Sequence, residues 1–171
     1  MSDILREKRF AAFGTRLRRL SERLDRQVEA VYRAQAVVFQ PRWFAVVTLL
    51  DERGAMSVGE LASVLGISHA AVSQVRGEVI KAGLVAGRAD PADRRRQILA
   101  LTPKGRRAIA ALTPLWTAIA DAVETICAQA APGLIDAFNR IEDAMAQTPV
   151  PQRVAELLRK APKAKRKKAH D

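Results

Sequence analysis

The chain has 171 residues, 49% of them hydrophobic, and 29 Lys and Arg against 18 Asp and Glu give it a net charge of +11. That composition supplies a core, excludes a disordered chain and favours a polyanionic partner, and the length suits one compact domain or a small domain on helices that finish their core in a partner. A single cysteine excludes an internal disulfide framework and two histidines leave no Cys/His metal cage. With no uninterrupted apolar run of about 18 residues and no secretory h-region after Met1, a cytoplasmic protein without membrane segment, metal or cofactor is expected.

Phe10, Phe13, Leu17, Leu20, Leu24, Val28 and Val31 recur at steps of three and four, which predicts a long first helix with one apolar stripe among Arg, Lys and Glu. So narrow a stripe on so long a helix suits packing against other helices, and the segment reads as a dimerisation arm. Pro41 suits the first turn of a second helix through Trp43, Phe44, Val46, Val47, Leu49 and Leu50, apolar on most sides and therefore central, stopping at Gly54. Ser57, with Glu60 three residues on, is a capping box opening a short helix; Gly66 ends it, and Ser68 caps the next, which runs to Ala82.

From Leu84 to Leu101 the helical period is lost, and two short extended runs around Asp90-Pro91 predict a hairpin. Thr102-Pro103 starts a second long helix on Ile109, Leu112, Trp116, Ile119, Val123 and Ile126, with a kink expected at Pro114. Ala131-Pro132-Gly133 breaks it. Ile135, Phe138, Ile141 and Met145 then mark an amphipathic helix that fades into Thr148-Pro149-Val150-Pro151, ahead of a short Val154 to Leu158 stretch. From Arg159 to Asp171 seven Lys and Arg stand against one Asp, which reads as a disordered basic tail.

Two short helices joined through Leu65-Gly66-Ile67-Ser68 carry a helix-turn-helix pattern, Gly66 permitting the tight turn and Ile67 plugging its angle. With Val72, Val75 and Val79 inward, helical periodicity puts Ser68, His69, Ala70, Ser73, Gln74 and Gly77 on the open face. Gln74 has the amide geometry to bond N7 and N6 of an adenine, while Ser68, His69 and Ser73 can reach phosphates or bases. The plainer alternative is a solvated face in a helical bundle. The hairpin turn favours the first reading: Arg94, Arg95 and Arg96 cluster beside Asp90 and Asp93, and a guanidinium at a hairpin tip fits a narrow, negative minor groove.

Through SVGELASVLGISHAAVSQ, KAGLV, DPADRRRQILALT and then PKG, the segment from Ser57 to Leu101 resembles the multiple antibiotic resistance regulator (MarR) family, the blocks keeping their order and spacing. The resemblance implies a mainly α fold with a small β-hairpin wing, in which a winged helix-turn-helix lobe and helical dimerisation arms build a triangular dimer. It further implies that Asp93 braces the wing through Arg95, that Arg95 reaches the minor groove, and that Arg94 and Arg96 meet backbone phosphates. Arg76 stands where the family pattern is usually apolar, and Gly77 where a longer polar residue is common, so no site preference carries over.

The expected layout is a dimerisation helix over residues 1–38, a DNA-binding lobe over 41–101, C-terminal dimerisation helices over 102–158 and a basic tail over 159–171. Ser57 joins Ser68, His69, Ala70, Ser73, Gln74, Gly77, Arg94, Arg95 and Arg96 as DNA-facing, and Phe10, Phe13, Leu17, Leu20, Ile119, Val123, Ile126, Ile135 and Phe138 form the dimer interface. The function expected is a homodimeric, sequence-specific regulator of transcription, a repressor on a palindromic operator in double-stranded DNA. The alternative is a sequence-independent nucleoid-associated protein that uses the basic tail. The resemblance adds a small aromatic or phenolic effector near Trp43, Phe44 and Trp116, for which core packing is the simpler role. Cys127 reads as an inert core thiol, and His69 with the wing aspartates makes no Ser-His-Asp arrangement, so no catalysis is expected.

Overall fold

The computed structural model describes residues 2–90, 93 and 96–160, and within them the chain is mainly helical with a three-stranded antiparallel sheet. It divides into two units, the first ending at Ile119 and the second starting at Ala120.

The first unit opens with a short helix α1 (Ile4–Glu7) and a 3₁₀ turn (Arg9–Ala12) before the long helix α2 (Phe13–Ala34). The apolar stripe read from the sequence is therefore interrupted at its first member, because Phe10 lies in the turn. The break falls at Arg9, whose backbone is left-handed (φ 46°), while the side chain of Asp3 caps α1 by accepting from the Leu5 N–H and pairs with Arg19 of α2 at 2.9 Å. Of the α2 stripe only Val28 packs against the core; Leu20 is 61% exposed.

A 3₁₀ turn at Pro41–Trp43 leads into α3 (Phe44–Arg53), whose Val46, Val47, Leu49 and Leu50 are all buried, the central helix the sequence predicts. Then come β1 (Met56–Ser57), α4 (Val58–Leu65), α5 (His69–Lys81), β2 (Val85–Ala89), β3 (Gln97–Leu101) and α6 (Pro103–Ala130). The sheet order is β1-β3-β2, with Met56 opposite Leu99 and Gly87 opposite the same residue from the other side. β1 was not foreseen, since two residues leave no alternating pattern and exist as a strand only through pairing with β3. Leu61, Val72, Val79 and Leu99 have no exposed surface and seal α4, α5 and the sheet together, each such side chain stabilising by about 1.5–3 kcal/mol on burial.

Helix α6 runs on through Pro114 as one helix, and Gly105, Ile109 and Leu112 of its first half are buried. Among the described residues it alone is long and apolar enough, by length and composition, to cross a membrane. No unbroken apolar run marks it in the sequence, because Asp121 and Glu124 interrupt the small and aliphatic residues.

In the second unit, α7 (Leu134–Gln147) and α8 (Val150–Lys160) contain no buried residue, and Ile126, Ile135, Met145, Leu157 and Leu158 are more than half exposed. The prolines at 149 and 151 do not end the helical region as expected; both sit where α8 begins, a position that needs no N–H. The guanidinium of Arg153 then donates to the carbonyls of Thr148 and Ala144, both at 2.8 Å, closing the end of α7. Arg159 and Lys160, read as tail, belong to α8, and the rest of the tail lies outside the described residues.

Candidate nucleic-acid interface

The turn between α4 and α5 forms because Gly66 adopts a left-handed conformation (φ 63°), which reverses the chain in a single residue. Ser68 then caps α5, its hydroxyl accepting from the Ala71 N–H at 3.2 Å. Val72, Val75 and Val79 are buried, and Ser68, His69, Ala70, Ser73, Gln74 and Gly77 are all exposed, so the six polar or small side chains share one open face. A built Cβ on Gly77 meets nothing within 4 Å, so packing does not demand glycine there. Gly77→Ala is accordingly expected to stabilise the free protein by about 1 kcal/mol, raising Tm by about 2–4 °C in a thermal melt; a lowered Tm would show that α5 needs the extra freedom.

Ser57 is a correction. It was expected to face DNA, but it is 4% exposed and its groups are occupied: its hydroxyl accepts from the Glu60 N–H at 3.2 Å, and its own N–H donates to the Glu60 carboxylate at 2.7 Å. That N–H, followed by the Ser57 hydroxyl, holds the Glu60 carboxyl below the usual range. Arg96, expected on a phosphate, reaches back to the same corner, Nη2 lying 3.3 Å from Ser57 Oγ and 3.4 Å from Glu60 Oε1 while Nη1 lies 3.9 Å from Asp90. The root of the wing is thereby tied to the start of α4. Two backbone bonds close the same root, Asp90 N–H to the Arg96 carbonyl at 2.9 Å and Arg96 N–H to the Asp93 carbonyl at 2.8 Å. Arg94 and Arg95 lie outside the described residues.

The sequence reading missed Glu78, one helical turn beyond Gln74. Its carboxylate accepts from Arg42 Nε at 2.8 Å, Arg42 Nη2 at 2.9 Å and Trp43 Nε1 at 2.6 Å. These contacts, Arg42 first, hold its pKa below the usual carboxylate range. The only sequence signal was the i,i+4 spacing from Gln74. Asp25 of α2 feels the same guanidinium: burial and then Glu29 push its pKa up against the pull of Arg42.

Trp43, Phe44 and Trp116 pack with Tyr32 and Phe39 in a run of ring contacts with centroids 4.9–5.7 Å apart, and Trp116 Nε1 donates to the Tyr32 hydroxyl at 3.0 Å. Tyr32, Phe39 and Trp43 are buried, Trp116 is partly buried against them, and Phe44 is 43% exposed. Cys127, expected in the core, is instead half-buried, on a groove of the second unit lined by Ala120, Val123, Ala131, Leu134 and Ile135.

Residues 39–96, which span the helix-turn-helix and the root of the wing, match the sequence profile of the MarR family. The lobe resembles a MarR-family winged helix. Members of the MarR family are DNA-binding regulators of transcription rather than enzymes. Solved structures share the fold. BpsR of Bordetella bronchiseptica, whose DNA binding is regulated by 6-hydroxynicotinic acid, is 26% identical, with 78% of this chain and 98% of that chain covered at a TM-score of 0.57. The MarR family regulator NMB1585 of Neisseria meningitidis is 20% identical over 91% of this chain and 99% of its own, at a TM-score of 0.58. PcaV of Streptomyces coelicolor, solved with its natural ligand, is 17% identical over 86% and 97%, at a TM-score of 0.62. No curated protein sequence matches the chain.

Proposed function

We propose that this MarR-type chain binds a palindromic operator as a homodimer and represses transcription by occluding polymerase. The observation that carries the reading is α5: its apolar face is sealed into the lobe and its open face offers short or polar side chains with Gln74 among them. A helix so presented fits the major groove, and the arginines of the turn between β2 and β3, by sequence Arg94 and Arg95, suit the flanking minor groove. Asp93 is assigned to bracing that turn.

The proposal of two copies rests on the apolar residues each chain leaves open. Phe10, Phe13, Leu17 and Leu20 in the first unit and Ile126 and Ile135 in the second are all at least 40% exposed, and large apolar side chains left open in such numbers point to an interaction site on each unit. Ile119, Val123 and Phe138, partly buried in the single chain, belong to the same interface. On this reading residues 1–38 and 102–158 serve dimerisation and 41–101 read DNA. In a dimer the two α5 helices meet successive major grooves, about 34 Å apart. A small aromatic or phenolic effector, supported by the likeness to BpsR, releases the DNA by changing that separation. The protein acts in the cytoplasm.

The test is selection of binding sites from a random duplex pool, followed by Gln74→Ala on the selected operator. A loss of about 1–3 kcal/mol confined to particular base pairs is expected. Absence of any enriched sequence would sink the reading, and equal loss on scrambled duplex would reduce Gln74 to a backbone contact.

A further inference from the structure

The reading edge of a glutamine is ambiguous. Its carbonyl and amino groups exchange places by a half-turn of the last side-chain torsion, and only one orientation presents an acceptor to adenine N6 and a donor to N7. On a bare helix face both orientations are open. On α5 one of them is disfavoured, because the neighbour at i+4 is Glu78, and an ionised carboxylate only accepts.

Glu78 is itself held in place. The Arg42 fork grips both carboxylate oxygens at 2.8 and 2.9 Å, and the Trp43 indole N–H donates to one of them at 2.6 Å. Trp43 is buried between Phe39 and α5, so the clamp stands on the core of the lobe. Gln74 stands one helical turn before this fixed carboxylate, at the i,i+4 spacing at which side chains on one helix face meet. A carboxylate facing an amide selects its NH₂ group. The N–H anti to the amide oxygen can serve Glu78, which leaves the oxygen and the syn N–H, the adenine-reading pair, free to point outward.

We infer that Glu78, clamped by Arg42 and Trp43, is the positioning residue that sets the orientation of the Gln74 amide and so the base preference of α5. The inference rests on the reading of Gln74 as a base contact.

The experiment measures Kd for the selected operator, for each single base-pair variant of it and for a scrambled duplex. It compares the natural protein with Glu78→Ala, Glu78→Gln, Gln74→Ala and the Gln74→Ala/Glu78→Ala double variant, with a thermal melt of each. Glu78→Ala is expected to reduce discrimination about tenfold at the base pairs that Gln74→Ala affects, leave scrambled-duplex affinity within about twofold, and add nothing in the Gln74→Ala background. Glu78→Gln keeps the volume but can donate as well as accept, so it is expected to relax the same preference even if Glu78→Ala folds poorly. An unchanged base profile in Glu78→Gln, or a loss from Glu78→Ala that persists in the Gln74→Ala background, overturns the inference. If Gln74→Ala alone altered no base preference, the base-contact reading would fail and take the inference with it, a result distinguishable from an altered Gln74→Ala profile beside an unaltered Glu78→Gln one.

Discussion

Gly105→Ala is expected to destabilise the protein by about 3 kcal/mol, at the upper end of the usual cost of overpacking, and to lower Tm by about 6–12 °C. Gly105 is buried in the first turn of α6, against the backbone where α5 passes into β2. A Cβ built there would overlap the Leu84 carbonyl oxygen, lying 3.0 Å from its carbon and 3.2 Å from Leu101 Cδ2. That carbonyl cannot yield, because it accepts from the Thr102 N–H at 3.0 Å and lies 3.2 Å from the Thr102 hydroxyl. The same hydroxyl donates to the Gly83 carbonyl at 2.7 Å and accepts from the Gly105 N–H at 2.9 Å. Making room for a methyl group therefore moves α6 off the end of the reading helix and breaks this knot. Differential scanning calorimetry measures the effect, with Gly77→Ala as a control in open space. An unshifted Tm would mean that the junction is looser than its hydrogen bonds require.

The second large effect concerns the proposed dimer. Leu20→Asp is expected to leave the single chain folded, since Leu20 is 61% exposed and contributes little to the chain's own core. In an arm that packs against a partner, a carboxylate at that position would be buried without a counter-charge, at a cost of several kcal/mol. The protein should then sediment as a monomer. Operator affinity should fall by about 100-fold or more, because binding of the second half-site loses the effective concentration supplied by the first. Far-UV circular dichroism should change little. A variant that remained dimeric and kept its affinity would remove α2 from the interface.

Much of the lobe was legible because its signals are local. The Ser57–Glu60 capping box, the left-handed Gly66, the Ser68 cap and the inward set Val72, Val75 and Val79 each follow from residues within one or two turns of one another. The open face of α5 followed from the same periodicity. The interruption before α2 was hidden because no proline, glycine or cap residue marks it; it is Arg9 that takes the left-handed backbone there. The prolines at 149 and 151 misled for a different reason. A proline signals either a break or a first turn, and here Val150–Lys160 forms a helix around them.

For α4 and α5 the amino-acid order by itself determined where the helices start and stop and which face of each is apolar, since caps, turns and periodicity act between near neighbours along the chain. Only the tertiary structure decided what the polar side chains of the lobe do. It turned Arg96 back onto Ser57 and Glu60, brought Arg42 across thirty-six residues to Glu78, and pressed Gly105 onto Leu84. The physical reason is that a charged or hydrogen-bonding group takes the partner nearest in space, and folding sets that distance independently of separation along the chain.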